Sequence, residues 1–352
     1  MANKQQLLKD VLNSGIWGTI GPKSESAAQL IARRVSGRYG LLTYSASAAL
    51  EVQLRSLEIV YGDEVIVASY SDPMDVMVVA NVGATPVFAD IDPDTATLST
   101  ASVQAALSDK TKGIIVDAIG GNPCDMKGLA DLCNQNGVKI ILNLGDGYNT
   151  LLNGKPLSQY AYGTIVDLSD GQALSAGEGG ALIHHDEAAY MAGFAFHNCG
   201  RYPGAGNTLD MDTILGGDYR IAEWQAAMAE AGIDELDAVL LHRKEKAKTT
   251  WEAVSSDWLI PLPIIPGGVS SFHSVIFKYH KERNGDLPID GAIEALRSRG
   301  YNACRPWQAM HRQPVFASGY FKKMTGHVNG YSDKGLEHSI AAGETLIWVM
   351  LG

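Results

Sequence analysis

The chain has 352 residues, enough for one large core with a smaller one beside it. Apolar residues make up 46% and charged residues 19%, the balance of an ordinary globular protein. The net charge is −11 and no Lys/Arg run stands out, which argues against nucleic acid and anionic membrane as partners.

The opening MANKQQLLKDVL has no apolar core of signal-peptide length, and no apolar stretch approaches the ~20 residues that span a bilayer. Ala46 to Val60 keeps Ala49, Leu50, Leu54 and Leu57 on one face, the pattern of a helix. Short Val/Ile-rich runs then read as strands: Glu64–Ser69, Pro86–Ile91, Gly113–Val116, Val138–Leu142, Gly163–Leu168 and Gly180–His184. Between two of them Asp125 to Asn136 has helical spacing, with Gly137 as its stop. Strands alternating with helices predict an α/β sheet with sites at strand ends.

A long helical region follows from Tyr219 to about Val254. Its charge run, His242-Arg-Lys-Glu-Lys-Ala-Lys248, is expected to be a solvated face. The Pro-rich stretch from Ile260 to Gly268 marks a boundary, after which Phe272–Tyr279 reads as a strand and Ile289–Arg299 as a helix. The expected organisation is a large domain over 1–250 and a small α+β domain over 251–352. Cys124, Cys133, Cys199 and Cys304 lack metal-ligand spacing and are expected to be buried free thiols in a reducing cytoplasm. His184-His185 is expected at the surface, and Trp224 and Trp251 in core or interface packing.

Several segments together resemble the DegT/StrS group of sugar and aminocyclitol aminotransferases, pyridoxal-phosphate enzymes of fold type I. They are Tyr61-Gly-Asp-Glu-Val-Ile-Val67, Val82-Gly-Ala-Thr-Pro-Val-Phe-Ala-Asp-Ile-Asp92, Ser175-Ala-Gly-Glu-Gly-Gly180, His197-Asn-Cys-Gly-Arg201, Tyr219-Arg-Ile-Ala-Glu-Trp-Gln-Ala-Ala227 and His311-Arg-Gln-Pro-Val-Phe316. The resemblance implies a large domain with a mixed, mainly parallel sheet flanked by helices, a small C-terminal α+β domain, and a homodimer with sites at the interface.

It also implies a lysine that forms a Schiff base with the cofactor aldehyde. That position falls on Gln172, a non-basic carboxamide, and the sequence has no lysine between Lys155 and Lys244. The aspartate that would keep the pyridine nitrogen protonated falls on Asn143, with Asp146 three residues on. The aromatic that would stack on the ring falls on Asp72. The phosphate turn that opens a helix falls on Ser45-Ala46-Ser47, which could still serve. Two further phosphate ligands fall on Asp167 and on Asp218, the latter lent across the subunit interface. A like-charge pair ~4 Å apart costs ~4 kcal/mol at an effective dielectric of ~20, so these carboxylates would oppose a phosphate.

The resemblance further places His197, Arg201, His311 and Arg312 on the substrate side. No cofactor and no metal is expected to bind. Three readings follow. One is a non-catalytic homologue, such as the partner of an intact paralogue in a hetero-oligomer. Another is a cofactor-independent enzyme whose clustered carboxylates, Asp146 and Asp167 among them, work on a sugar or cyclitol. The third is a pyridoxal-phosphate sugar aminotransferase with an unusual site.

Overall fold

The computed structural model describes residues 4–18, 20–204, 214–327 and 329–351. Two helices lead, α1 (Lys4–Ser14) and α2 (Pro22–Arg34), followed by β1 (Tyr39–Thr43) and α3 (Ala46–Ser56). Alternation then sets in: β2 (Glu64–Ala68), α4 (Pro73–Asn81), β3 (Thr85–Ala89), α5 (Thr100–Ala106), β4 (Thr111–Asp117), α6 (Met126–Asn136) and β5 (Lys139–Asn143). The short strands β6 (Leu151–Leu152) and β7 (Lys155–Pro156) precede β8 (Gly163–Asp167), β9 (Gly180–His184) and α7 (Glu187–His197). The long α8 (Glu223–Val254) leads to β10 (Leu259–Pro261), β11 (Gly268–Val269), β12 (Ser274–Tyr279), α9 (Ile289–Ser298) and β13 (Asn302–Cys304). The chain ends with α10 (Gly319–Thr325), α11 (Glu337–Thr345) and β14 (Leu346–Met350).

The main sheet has seven strands in the order β1-β9-β8-β5-β4-β2-β3. Strands β8, β5, β4, β2 and β3 run parallel, and β9 lies antiparallel to both β8 and β1. Their Val/Ile-rich centres are buried, as expected of strands covered on both faces. Helices close those faces, so the polar residues at the strand ends Asp117, Asn143 and Asp167 gather at one edge of the sheet. A second sheet, β10-β12-β14-β13, forms its own core around Phe277, Ile347 and Val349.

Local chemistry sets the element ends. Ser45 caps α3 by accepting the Ala48 N–H at 3.1 Å. That helix stops at Ser56, short of the expected Val60, because Glu58 turns left-handed at φ 57° and the Ile59 N–H returns to the Leu54 carbonyl. Asp125 caps α6, and Gly137, at φ 69°, ends it where the sequence places the stop. Phe272 is left-handed at φ 54°, so β12 begins at Ser274 and not at Phe272. Arg220 bridges Thr43 of β1, which delays the start of α8 from Tyr219 to Glu223.

Three expectations are corrected. His184 is fully buried, with its Nδ1 3.2 Å from the Tyr162 carbonyl, because it ends a central strand. The charge run on α8 is not all solvated: Arg243 is 3% exposed, since that turn of the helix faces the loop after β8. Cys124 and Cys133 are buried, but Cys199 and Cys304 are only half-buried; all four thiols are free. Trp224 is 48% exposed, which leaves interface packing of the two placements expected for it. No helix among the described residues is long and apolar enough to cross a membrane.

Candidate functional site

The strand ends build a small polar chamber. Asp72, Met74, Asp117, Ala118, Ile119, Asn143, Gly145, Asp146, Asp167, Gln172 and Trp307 line it, and its volume is about 30 Å³. That is room for about two waters, where small-molecule pockets begin near ~300 Å³.

Each polar wall residue has a local reason for its position. Asp72 caps α4: its carboxylate accepts the Met74 N–H at 2.8 Å, and Pro73 occupies the first turn. Burial raises the Asp72 carboxyl above its ordinary range; the Met74 bond opposes this, and Asp146 and Asp167 add to it. Asn143 ends β5 and spends both halves of its amide. Its Nδ2 donates to Asp75 at 3.0 Å, and its Oδ1 accepts the Gly145 N–H at 3.1 Å. Asp167, at the end of β8, accepts the Ser169 N–H at 2.9 Å, the Ser169 hydroxyl at 2.8 Å and the Gln172 amide at 3.2 Å.

Asp146 is held from the opposite wall. It accepts the Gly120 N–H at 3.1 Å and lies 3.4 Å from His273 Nε2. Gly120 sits at φ 59°, and a Cβ there would meet Ser274 Oγ at 2.7 Å, so glycine is required. Burial lowers His273, with Asp146 pulling the other way, so a neutral ring faces the carboxylate. Arg243 reaches in from α8 and donates to the Gly171 carbonyl at 2.7 Å.

Two more acids belong to this region, Asp117 as a wall residue and Asp75 as the partner of Asn143, and neither stands out in the sequence. Asp75 is 1% exposed, and its carboxyl accepts the Asn143 amide at 3.0 Å. Burial raises both: Asp75 well above the carboxylate range, Asp117 to about 7. A signal existed: Asp75 is the only charged residue in the otherwise apolar PMDVMVVAN of α4, and Asp117 closes the apolar run GIIVD.

The other candidates lie elsewhere. Ser45, Ala46 and Ser47 open α3 but do not line the chamber. Asp218 is exposed and paired with Arg220 at 2.8 Å. Its charge raises the nearby Tyr44 phenol, behind burial and Glu51 in effect. His197 and Arg201 line a separate cavity of about 570 Å³ beside α2, β1 and α7, where His197 Nε2 lies 2.9 Å from the Leu42 carbonyl. His311 is buried between Ser69 Oγ at 2.6 Å and Asp333 at 3.0 Å, and Arg312 pairs with Asp333 at 2.7 Å. His311 therefore ties the turn after β13 to the end of β2. Among the described residues, no group of three or more His, Cys, Asp or Glu could hold a metal ion.

A seven-stranded mixed sheet flanked by helices, with a polar chamber at its strand ends and a smaller sheet following, is the fold type I aminotransferase architecture. The chain belongs to the DegT/DnrJ/EryC1/StrS aminotransferase family, whose pattern matches residues 1–334. Solved structures agree in fold. A 3-amino-5-hydroxybenzoic acid synthase is 22% identical, with a TM-score of 0.88 over 99% of this chain and 91% of its own. An aminotransferase from Psychrobacter cryohalolentis is 20% identical, with a TM-score of 0.87 over 99% and 91%. PseC of Helicobacter pylori, an aminotransferase involved in pseudoaminic acid biosynthesis, is 18% identical, with a TM-score of 0.85 over 99% and 91%.

Proposed function

We propose that this chain is a non-catalytic member of the family, one that keeps the scaffold and has given up pyridoxal-phosphate transamination. The observation that carries the reading is the bond from Gln172 to Asp167 across a chamber of about 30 Å³. Gln172 stands at the position of the Schiff-base lysine, and an amide nitrogen is neither nucleophilic nor basic. Asn143 carries no charge to hold a pyridinium, and both ends of its amide are already engaged. Asp72 serves as a helix cap and offers no stacking face. These residues do not fit a phosphorylated pyridine aldehyde.

The role that suits such a chain is that of a partner subunit, in a homodimer or with an intact paralogue. The stacked Tyr44–Tyr219 pair, Trp17 and Trp224 leave aromatic surface exposed. Addition of pyridoxal phosphate to the purified protein tests the reading. The expected result is no aldimine absorbance and no calorimetric heat; an absorbance band with saturable binding would restore the aminotransferase reading.

A second reading is favoured by one observation, a chamber-lining carboxyl raised to about 7 at Asp117. Such a group suits cofactor-free acid–base work on an aminosugar or cyclitol. A thermal shift with such ligands that vanishes in Asp117→Asn would establish it over the first.

A further inference from the structure

The cavity of about 570 Å³ beside α2, β1 and α7 has the size of a small-molecule pocket and shares no lining residue with the chamber. One face of α7 builds its long wall. Tyr190, Phe194 and His197 stand at i, i+4 and i+7, so their rings follow one another along the helix, with centroids 5.8 Å and 5.7 Å apart. Tyr39 stacks on Tyr190 at 5.3 Å and restrains that ring. Leu41 and Leu42 of β1 add apolar surface.

At the end of α7 the wall turns polar. The Arg201 N–H donates to the Asn198 carbonyl at 3.1 Å, a turn that folds Arg201 back toward His197, and both side chains line the cavity. His197 is 3% exposed. Its Nε2 lies 2.9 Å from the Leu42 carbonyl, which can only accept, so Nε2 carries the ring proton. Nδ1 is then an acceptor, buried and without a donor. The nearby Phe194 carbonyl is an acceptor as well and cannot serve it.

Arg201 supplies the opposite need. Its Nε is buried without an acceptor, and among the described residues its guanidinium forms no ion pair. The other cation on the lining, Arg220, is already met by both oxygens of Asp218 at 2.8 Å. Glu25, the acid on the described lining, is exposed to water. One guanidinium thus stays uncompensated beside one unfilled acceptor. A carboxylate matches a single guanidinium with two parallel bonds, whereas a phosphate dianion would leave charge unmet.

We propose that this cavity binds an α-hydroxy carboxylate with an aromatic tail. The carboxylate lies on Arg201, the adjacent hydroxyl donates to His197 Nδ1, and the ring packs along Phe194 and Tyr190. Both orphan atoms are covered in the free protein, and rotation of the Arg201 and His197 side chains presents them to the head group. No chamber residue takes part, so the site stands whether or not the chamber holds a cofactor.

Titration calorimetry of the full chain with racemic phenyllactate tests the assignment, and each control compound removes one feature. Saturable binding of phenyllactate is expected. Hydrocinnamate lacks the hydroxyl and should bind about tenfold more weakly. Phenyllactamide lacks the charge and should lose about tenfold or more. Lactate lacks the ring and should not saturate over the same range. Arg201→Met should weaken phenyllactate about tenfold or more while leaving the Tm of the free protein unchanged, because the guanidinium holds no other group in place. No saturable binding of phenyllactate, equal affinity for hydrocinnamate, or equal affinity in Arg201→Met would overturn the site.

Discussion

Asn143 Nδ2 donates to the buried Asp75 carboxyl at 3.0 Å, so the end of β5 is tied to α4 by an amide whose oxygen also accepts the Gly145 N–H. The same bond explains why a neutral residue suits this strand end. An aspartate there would stand as a further acid against Asp75. Asn143→Asp should cost about 3 kcal/mol or more by placing an unpaired buried charge, and the loss should grow with pH. Asn143→Ala, which only orphans Asp75, should cost ~1–3 kcal/mol. Urea unfolding at pH 6 and 8 measures both, and a milder aspartate than alanine would contradict this account.

Gln172→Lys is the obvious attempt to restore chemistry. The new ammonium would fall beside Asp167, which now accepts the Gln172 amide at 3.2 Å, and would be held there as an ion pair. No aldimine band is expected from this single change with added pyridoxal phosphate. Adding Asp167→Ser and Asp72→Phe removes the pairing acid and the chamber's polar wall, and the triple variant should develop colour. Spectrophotometric titration of both proteins decides; strong colour in the single variant would mean that the chamber opens readily.

Arg243 is a buried cation that donates to the Gly171 carbonyl at 2.7 Å, while its charge faces Asp146. Arg243→Ala removes both and should destabilise by ~3 kcal/mol, with faster hydrogen exchange over residues 169–179. Arg243→Met, which keeps the volume, should recover part of the loss. An alanine variant as stable as the parent would place this arginine outside the structural framework.

Two histidines set an acid limit. Burial lowers His184 and His197 to about 4 each, below the ordinary 6.5. Their neutral rings therefore stabilise the fold fully above pH 6.5, and that stabilisation is lost as pH falls toward 4, by about 3 kcal/mol per ring. Buried carboxyls with raised values slope the other way over the same window, so the test is a difference between proteins: His197→Gln should lower the pH 4.5–6.5 slope of the unfolding free energy by about one proton relative to the parent. Equal slopes in parent and variant would contradict a buried neutral ring at His197.

The parts of this protein written in local chemistry were legible in sequence. The alternating apolar runs became β2, β4, β5, β8 and β9 within a residue or two, and Gly137 ended α6 as its type demands. Asp72, Asn143, Asp146, Asp167 and Gln172 could be placed because each lies at or just after a strand end, and their neutral or acidic character is a fact of sequence. Asp75 and Asp117 escaped notice. An aspartate three residues inside a helix or at the end of a strand looks like any solvated acid.

The same limit hid Arg243 and misplaced His184, since a charge run and a terminal histidine carry no mark of burial. Residue order alone thus determined which strands form, which side chains end them, and that no lysine lies between Lys155 and Lys244. Only the folded chain decided that four carboxyls and two amides would share a space of about 30 Å³, because burial and hydrogen-bond partners come from segments far apart in sequence. Asp75 meets Asn143 across 68 positions, and Arg243 meets Gly171 across 72. Protonation follows from those meetings: a carboxyl's affinity for its proton is set by what surrounds it.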